Sequence, residues 1–580
     1  MTMPINGFLY EILIDTTWLT LSIYLYIYIM VNQKNIVMKN LSVRWTHYTT
    51  ILLIVFIFYT CHSQVNSPAL EGSVASAHPL ATKAGMDILN QGGNAFDAAI
   101  AVAASLNVVE PMSSGIGGYG TILIYDAKRK QVRFLNPSGR FPVNTNTDLM
   151  REPTPGFMEN RVGSKSISTP GNVNAWASMH ENYGSINWKD LFQPAITLAD
   201  QGFEVSKFLS LVIGSAFKDF SPYAQSIYGK NGKPLEEGEL LIQSDLAKTF
   251  RLISRKGAEA FYNGEIAKLI DGEMKRVGSF LTIEDLVNNE AEWYEPLLYR
   301  YRDFDVYTAS LPANSFAAFV NLGLMNQIPA ERLEHNSAEY LHLFAEMTKE
   351  SYKSRLLYSF DPEIKESPLD SILSPEFLNN KIASFDPDSA SQFELPFSPE
   401  SKNTTHFVVI DKWGNIVSAT QTLGNAFGSR IMVEGTGIWM NNSMAYSTFE
   451  PKGNPMDAFP GRHKLSGDCP IIIMKDNQPF AALGSPGGHT ITQNVPQIIF
   501  NLIDFNMSMQ DAIDAPKISF VEPDYILVDN ILSPDIIRSL EAKGHNIIRG
   551  SIGNAHGIRI IRDDKGNISG FETGVDSRGR

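Results

Sequence analysis

The sequence predicts a layered body of mixed α and β structure, α+β or α/β, cut once by an acidic loop. Three observations carry this. Segments with helical apolar spacing fill the span from about Asn174 to Asn379, and strand-like alternation with tight turns follows Asn403. Between them lies "FDPDSASQFELPFSPESKN" (385–403), rich in Ser, Pro and acidic residues. With 580 residues, 43% hydrophobic and 19% charged, the chain has the composition to bury a large core.

Taken in order, "HPLATKAGMDILNQGGNAFDAAIAVAASLNVVEP" (78–111) reads as two helices. Gly92-Gly93 stops the first, Asn94 caps the second, and the Ala-rich face of the second suits close packing on a sheet. "TILIYD" (121–126) and "QVRFLN" (131–136) form a strand pair around a charged turn. "AWASMHENYG", "DLFQPAITLADQG", "SDLAKTFRLISRKG" and "SAEYLHLFAEMTKESYKSRLLY" are the clearest helices of the middle span. The acidic loop is expected to be exposed and mobile. After it, "THFVVID", "IVSATQTL", "CPIIIMKD" and "QPFAALGS" read as strands joined by "KWGN" and "KDNQ" turns, and "TITQNVPQIIFNLIDF" (490–505) reads as a helix.

The amino terminus, residues 1–65, reads as an address. Lys39 and Arg44 precede the apolar "ILLIVFIFYT" (51–60), which ends on Cys61, so Met38 is a natural start for an export signal. An apolar core ending on cysteine resembles a bacterial lipoprotein signal. Lipidation at Cys61, plain secretion and an uncleaved anchor all remain open, and any membrane attachment is expected only through this segment. The expected location is the periplasm or cell envelope.

A formal charge of -14, with no long basic run, argues against a nucleic-acid partner. Two cysteines, Cys61 and Cys469, cannot build a disulfide framework or a thiolate metal site. With no HExxH or paired zinc-spaced histidines, neither a metal nor another cofactor is expected. Cys469, in the apolar "CPIII", is expected to be a buried small residue.

"GIGGYG" (115–120) matches the dinucleotide fingerprint, but a helix precedes it and a strand follows, the reverse of what a pyrophosphate site needs. It reads instead as glycines that let backbones approach closely. No G-x-S-x-G is present. The glycines of "GSPGG" (484–488), at a strand end, either present N–H groups to a developing oxyanion or make an ordinary strand-to-helix turn.

"NTTHFVVID" (403–411) sets Thr404, Thr405 and His406 at the mouth of a strand. Thr, Phe and Val suit any pleated surface. A threonine hydroxyl also becomes a nucleophile when a base sits beside it, and its own α-amine, with a pKa of about 7.7–8.0, can be that base. A peptide nitrogen cannot. Such chemistry requires the bond between Asn403 and Thr404 to be cut first, and the acidic loop is where a cut is accommodated.

"GGNAFDAAIAVAASLNVVEPMSSGIGGYG" (92–120), "TTHFVVIDKWGNIVSATQTL" (404–423), "LSGDCPIII" (465–473) and "GSPGG" together resemble the gamma-glutamyltranspeptidase family. The likeness runs from about Val74 to "GVDSRGR" (574–580). It implies a four-layer αββα N-terminal-nucleophile hydrolase with a helical portion in its large subunit. It also implies self-cleavage into fragments 66–403 and 404–580 that stay together as a heterodimer. Thr404 is then the nucleophile, Thr422 the threonine bonded to it, and Gly487 and Gly488 the oxyanion hole.

Substrate positions depart from the family. Ser138 replaces an arginine, with Arg140 two residues on; Ser466 is followed by Gly467 where the family pairs serines. Gly424, Ser443 and Tyr446 stand where the family holds the α-amino group, with Asn425 and Asn442 as neighbours. Ser466, Arg140, Ser443 and Tyr446 are therefore the candidate substrate contacts. The expected substrate is a small amide, with a gamma-glutamyl group as in glutathione or another acyl group as in the family's acylases. A binding protein without turnover is the remaining class.

Overall fold

The computed structural model describes residues 71–395 and 403–578. The expected address region, with Met38 and Cys61, lies outside the described residues, as do residues 396–402 of the acidic loop. Two six-stranded sheets organise the rest. Their strands are β1 (Gly72–Ser76), β2 (Tyr119–Asp126), β3 (Gln131–Asn136), β4 (Glu292–Tyr294), β5 (Leu297–Tyr301) and β6 (Phe304–Thr308). After the loop come β7 (Asn403–Asp411), β8 (Ile416–Gly424), β9 (Ile471–Lys475), β10 (Gln478–Gly484), β11 (His556–Arg562) and β12 (Ile568–Val575). The first sheet runs β1-β7-β8-β2-β3-β4 and the second β12-β11-β10-β9-β6-β5, with antiparallel pairing throughout.

Residue alternation along β7 shows how the layers form. Phe407 and Val409 join the core under the outer helices, while Val408 and Ile410 join the core between the sheets with Leu123, Ile472, Ala482 and Ile558. Both faces of the strand are buried, so the run is apolar on both. Helices α1 (Pro79–Asn90) and α2 (Ala95–Val109) cover the first sheet. Helices α3 (Phe316–Asn326), α4 (Ala338–Tyr358) and α5 (Ile491–Ile503) cover the second, packing Phe319, Phe344 and Ile499 in one cluster with Ile471, Ile473 and Leu483. The result is the four-layer αββα body that the family resemblance implies.

The predicted break between α1 and α2 is present. The Asn94 side chain accepts hydrogen bonds from the Phe96 and Asp97 N–H groups at 2.9 and 3.0 Å, and Asp97 accepts from the Asn94 N–H at 3.1 Å. Every residue of α2 is buried, which its alanines permit. In "KDNQ", Asp476 and Asn477 both take positive φ, as a two-residue hairpin turn requires.

The middle span differs from expectation. Helices occupy Asn172–Tyr183, Gln193–Gln201 and Ser244–Lys256, but β4, β5 and β6 also lie within it. "LLYRY" and "FDVYT" alternate buried and more exposed positions, a period of two hidden among longer helices. These strands complete an edge of each sheet. The "GIGGYG" glycines also find their reason here: a Cβ on Gly117, Gly118 or Gly120 would overlap the carbonyl oxygen of Trp439, Thr422 or Thr420. They bring β2 against the strand that carries Thr422.

Candidate active site

Pairing of β7 with β8 runs in register from Ile410↔Ile416 to Thr405↔Gln421, then slips, so that Asn403 faces Gly424. Thr422 and Leu423 therefore both oppose Thr404, a bulge that turns the Thr422 side chain toward it. The Thr404 hydroxyl donates to Thr422 Oγ1 at 3.3 Å, and Thr422 donates in turn to the Asn403 carbonyl oxygen at 2.6 Å. The Gly424 N–H donates to Thr422 Oγ1 at 2.8 Å, fixing its orientation. Both threonines are buried. Gly424 has φ +100°, and a side chain there would strike Asn442 Oδ1 and Tyr446.

This arrangement joins attacker and target. One hydroxyl, Thr422, receives the proton side of Thr404 and polarises the carbonyl of the bond that would be cut. His406, two residues from Thr404, is not the base. It is buried in the layer between the sheets, its Nδ1 2.9 Å from Thr420 Oγ1, and Gly484 leaves the room for its ring. Burial, with His556 beside it, holds it well below its ordinary pKa, so it is neutral.

A narrow cavity opens in front of Thr404, and Thr422, Tyr446, Ser466 and Gly488 line it. Gly487 and Gly488 both have positive φ, and Gly488 begins the single 3-10 turn that leads into α5. The unpaired N–H groups of a helix start give this end a partial positive charge suited to an oxyanion. Gly488 faces the Thr404 cavity, whereas Gly487 lines a separate hollow with Pro486 and Asn494.

The other predicted contacts divide. Tyr446 reaches the cavity, its hydroxyl donating to Asn425 Oδ1 at 2.9 Å. Ser466 reaches it too, and its Oγ accepts the Asp468 N–H at 3.2 Å. Ser443 is buried beneath, its N–H donating to Asn441 Oδ1 at 3.1 Å, and does not line the cavity. Arg140 does not line it either. Its guanidinium is held by Glu292 at 2.8 Å and by both oxygens of Glu363 at 2.7 Å, so it is occupied elsewhere.

Residue patterns gave no sign of Lys464, Arg355, Asp468, Tyr119 or His489, which complete the cavity wall. Lys464 and Asp468 flank the "LSG" stretch, and Arg355 comes from α4; a charge in such an apolar neighbourhood was the available signal. Burial, reinforced by Arg355, pushes Lys464 down to about 7 against the pull of Asp468. Burial likewise raises the Asp468 carboxyl. Cys469 is fully buried, and burial raises its thiol to about 12, which removes it as a nucleophile.

Among the described residues, two groups bring histidine and carboxylate together: His342 with Glu346 and His545, and His463 with Asp361 and Glu363. Both are knit internally. His342 Nδ1 lies 2.8 Å from His545 Nε2, and His463 Nδ1 lies 2.9 Å from Asp361 Oδ1.

A sequence profile described as gamma-glutamyltranspeptidase matches residues 81–580. The chain belongs to the gamma-glutamyltranspeptidase family. It is 33% identical over 520 residues to the glutathione hydrolase proenzyme of Bacillus subtilis (strain 168), covering 85% of this chain and 88% of that protein. It is 30% identical over 503 residues to the acylase ACY 1 proenzyme of Pseudomonas sp. (strain SE83), covering 85% and 89%. The crystal structure of cephalosporin acylase from Bacillus halodurans superposes with a TM-score of 0.79 at 27% identity, covering 88% of this chain and 95% of that one. As a gamma-glutamyltranspeptidase family member, the protein is an enzyme, a hydrolase or transferase.

Proposed function

We propose that the protein is an N-terminal threonine amidohydrolase that first cuts its own chain before Thr404 and then transfers acyl groups from small amides. The bonded series Thr404, Thr422, Asn403 carbonyl carries this reading. In self-cleavage, Thr404 Oγ1 attacks the Asn403 carbonyl carbon, its proton passes toward Thr422, and the C–N bond breaks as the Thr404 nitrogen takes a proton. Water then hydrolyses the resulting ester, releasing fragments 66–403 and 404–580, which remain one heterodimer. The new α-amine accepts the Oγ1 proton in each later turnover. Oγ1 attacks the substrate carbonyl, N–H groups near Gly488 stabilise the oxyanion, and the amine leaves protonated. Water or an acceptor amine resolves the Thr404 ester.

The names of the glutathione hydrolase relatives support a gamma-glutamyl acyl group. The acylase among the relatives and the geometry support a different acyl group, because Arg140 is bound to Glu292 and Glu363, and Gly424, Ser443 and Tyr446 offer no carboxylate for an α-ammonium. We read residues 1–65 as an export address. Cell fractionation of wild type and Cys61→Ser tests it, envelope retention lost in the variant being the lipid-anchor result.

Intact mass and amino-terminal sequencing of the protein and of Thr404→Ala test the central reading. Two fragments, the smaller beginning "TTHF" and absent from the variant, are expected. One unbroken chain from both would overturn the mechanism.

A further inference from the structure

His342 and Glu346 stand one turn apart on α4, and His545, 203 residues after His342 and beyond Thr404, reaches them from another segment. The three are 3%, 3% and 5% exposed, and one ligand atom from each lies within 4.8 Å of the other two. Two imidazoles and a carboxylate are a donor set that suits zinc. The ring hydrogens show which atoms are available. The Asp386 carbonyl, 2.8 Å from His342 Nε2, can only accept, so in the neutral ring that nitrogen carries the hydrogen and Nδ1 is bare. His545 Nε2, 2.8 Å from His342 Nδ1, then holds the one hydrogen between the rings. His545 Nδ1 is left bare, and among the described residues it meets no hydrogen-bond partner.

A buried ring nitrogen without a partner is costly. His342 also has the orientation of a metal ligand, which gives its second N–H to a backbone carbonyl and keeps the other nitrogen for the ion. Burial, with Lys349, His342 and Lys543 close by, pushes His545 down to about 3, so its ring is neutral and has a lone pair to give. Glu346 is not sealed in. It lines a hollow of about 410 Å³ with Lys349, Asp386 and Ser391, which gives an ion a way in. Lys349 is the rival cation. Its ammonium lies 3.2 Å from Glu346 Oε1, but it also donates to the Ser391 carbonyl and faces Asp524 at 3.6 Å, so it keeps partners when Glu346 turns to an ion.

We propose that His342, Glu346 and His545 form a zinc site that pins the segment before the cut to the segment after it. The ion enters between His342 Nδ1 and His545 Nε2 and displaces the hydrogen they share. That proton moves to His545 Nδ1, the bare nitrogen, while Glu346 closes on the ion and water takes the fourth position. Zn–N bonds of about 2.0–2.1 Å set the two nitrogens about 3.3 Å apart, so the rings part by about half an ångström. Binding of the ion does not depend on the threonine mechanism; its role as a staple rests on the cut proposed above.

The test uses the whole chain, as wild type and as uncut Thr404→Ala, stripped with a chelator and then given zinc or cobalt(II). About one zinc per chain should stay bound through desalting, cobalt should show the visible bands of a four-coordinate ion, and zinc should raise Tm. In the Thr404→Ala background, His545→Asn should weaken zinc by about 100-fold or more and abolish its effect on Tm. Glu346→Gln gives the same comparison if His545→Asn shows no unfolding transition of its own. In the cut protein, zinc should slow separation of the two fragments at fixed urea, and His545→Asn should lose that slowing. No zinc retained by Thr404→Ala, or equal retention in the variants, overturns the site and leaves an adventitious ion only. Zinc that binds there without slowing separation overturns the staple. Failure of the threonine mechanism looks different, a wild-type chain that stays whole: zinc on Thr404→Ala still decides the site, and only the staple falls.

Discussion

Thr422 accepts from two donors and gives its own proton to the Asn403 carbonyl, so its hydroxyl is fully committed in the uncut chain. Thr422→Val keeps the shape and removes the relay. Self-cleavage should slow by about 100-fold or more, with Thr422→Ser close to wild type, read as the rate at which the small fragment appears by mass. Thr404 stood out in the sequence as a threonine that its own freed amine could activate, and the "GSPGG" glycines as N–H donors at a strand end, whereas Thr422 was assigned only through the family resemblance. Lys464 and Arg355 were not legible, because they reach the cavity from separate segments and only burial marks them.

The glycines of "GIGGYG" set how closely β2 lies against β8. A methyl group on Gly118 would overlap the Thr422 carbonyl, so the strand or the bulge must move. Gly118→Ala should cost about 1–3 kcal/mol in the uncut Thr404→Ala background, measured by denaturant unfolding. In the native background it should also slow self-cleavage, because Thr422 shifts with its own carbonyl. Asn94→Ala, which removes the cap of α2 and the side-chain bond to the Tyr183 carbonyl, should cost about 1–2 kcal/mol and leave cleavage untouched. That contrast separates lost stability from lost geometry. At this scale the sequence was readable wherever one period dominated: α1, α2, β7 and β8 lie close to their expected bounds. It was less so at β4 to β6, where short strands at the sheet margins, each carrying tyrosine, sit among longer helices and their alternation is masked.

Across the whole molecule, His463 joins segments from either side of the cut. Burial alone would lower its pKa, but hydrogen bonds to Asp361 and Glu292 outweigh it and raise it to about 9. A pKa raised on folding adds stability that is full below about 6.5 and is lost as pH rises through about 9. Tm of the Thr404→Ala chain should therefore decline over that range, and His463→Gln should flatten the decline. Arg578 ties the carboxyl end to Asp529 and, at 2.8 Å, to Asp576. The strand order holds a last consequence. In the first sheet β7 and β8, from beyond the cut, lie between β1 and β2 from before it, and in the second β9 pairs with β6. Neither fragment can complete either sheet alone. Folding of the uncut chain is a first-order event; recovery of the cut protein from denaturant becomes a second-order one, slower with every dilution. Cut as proposed, the enzyme would owe its persistence to how seldom it opens, since two strangers in solution must find each other again once it does.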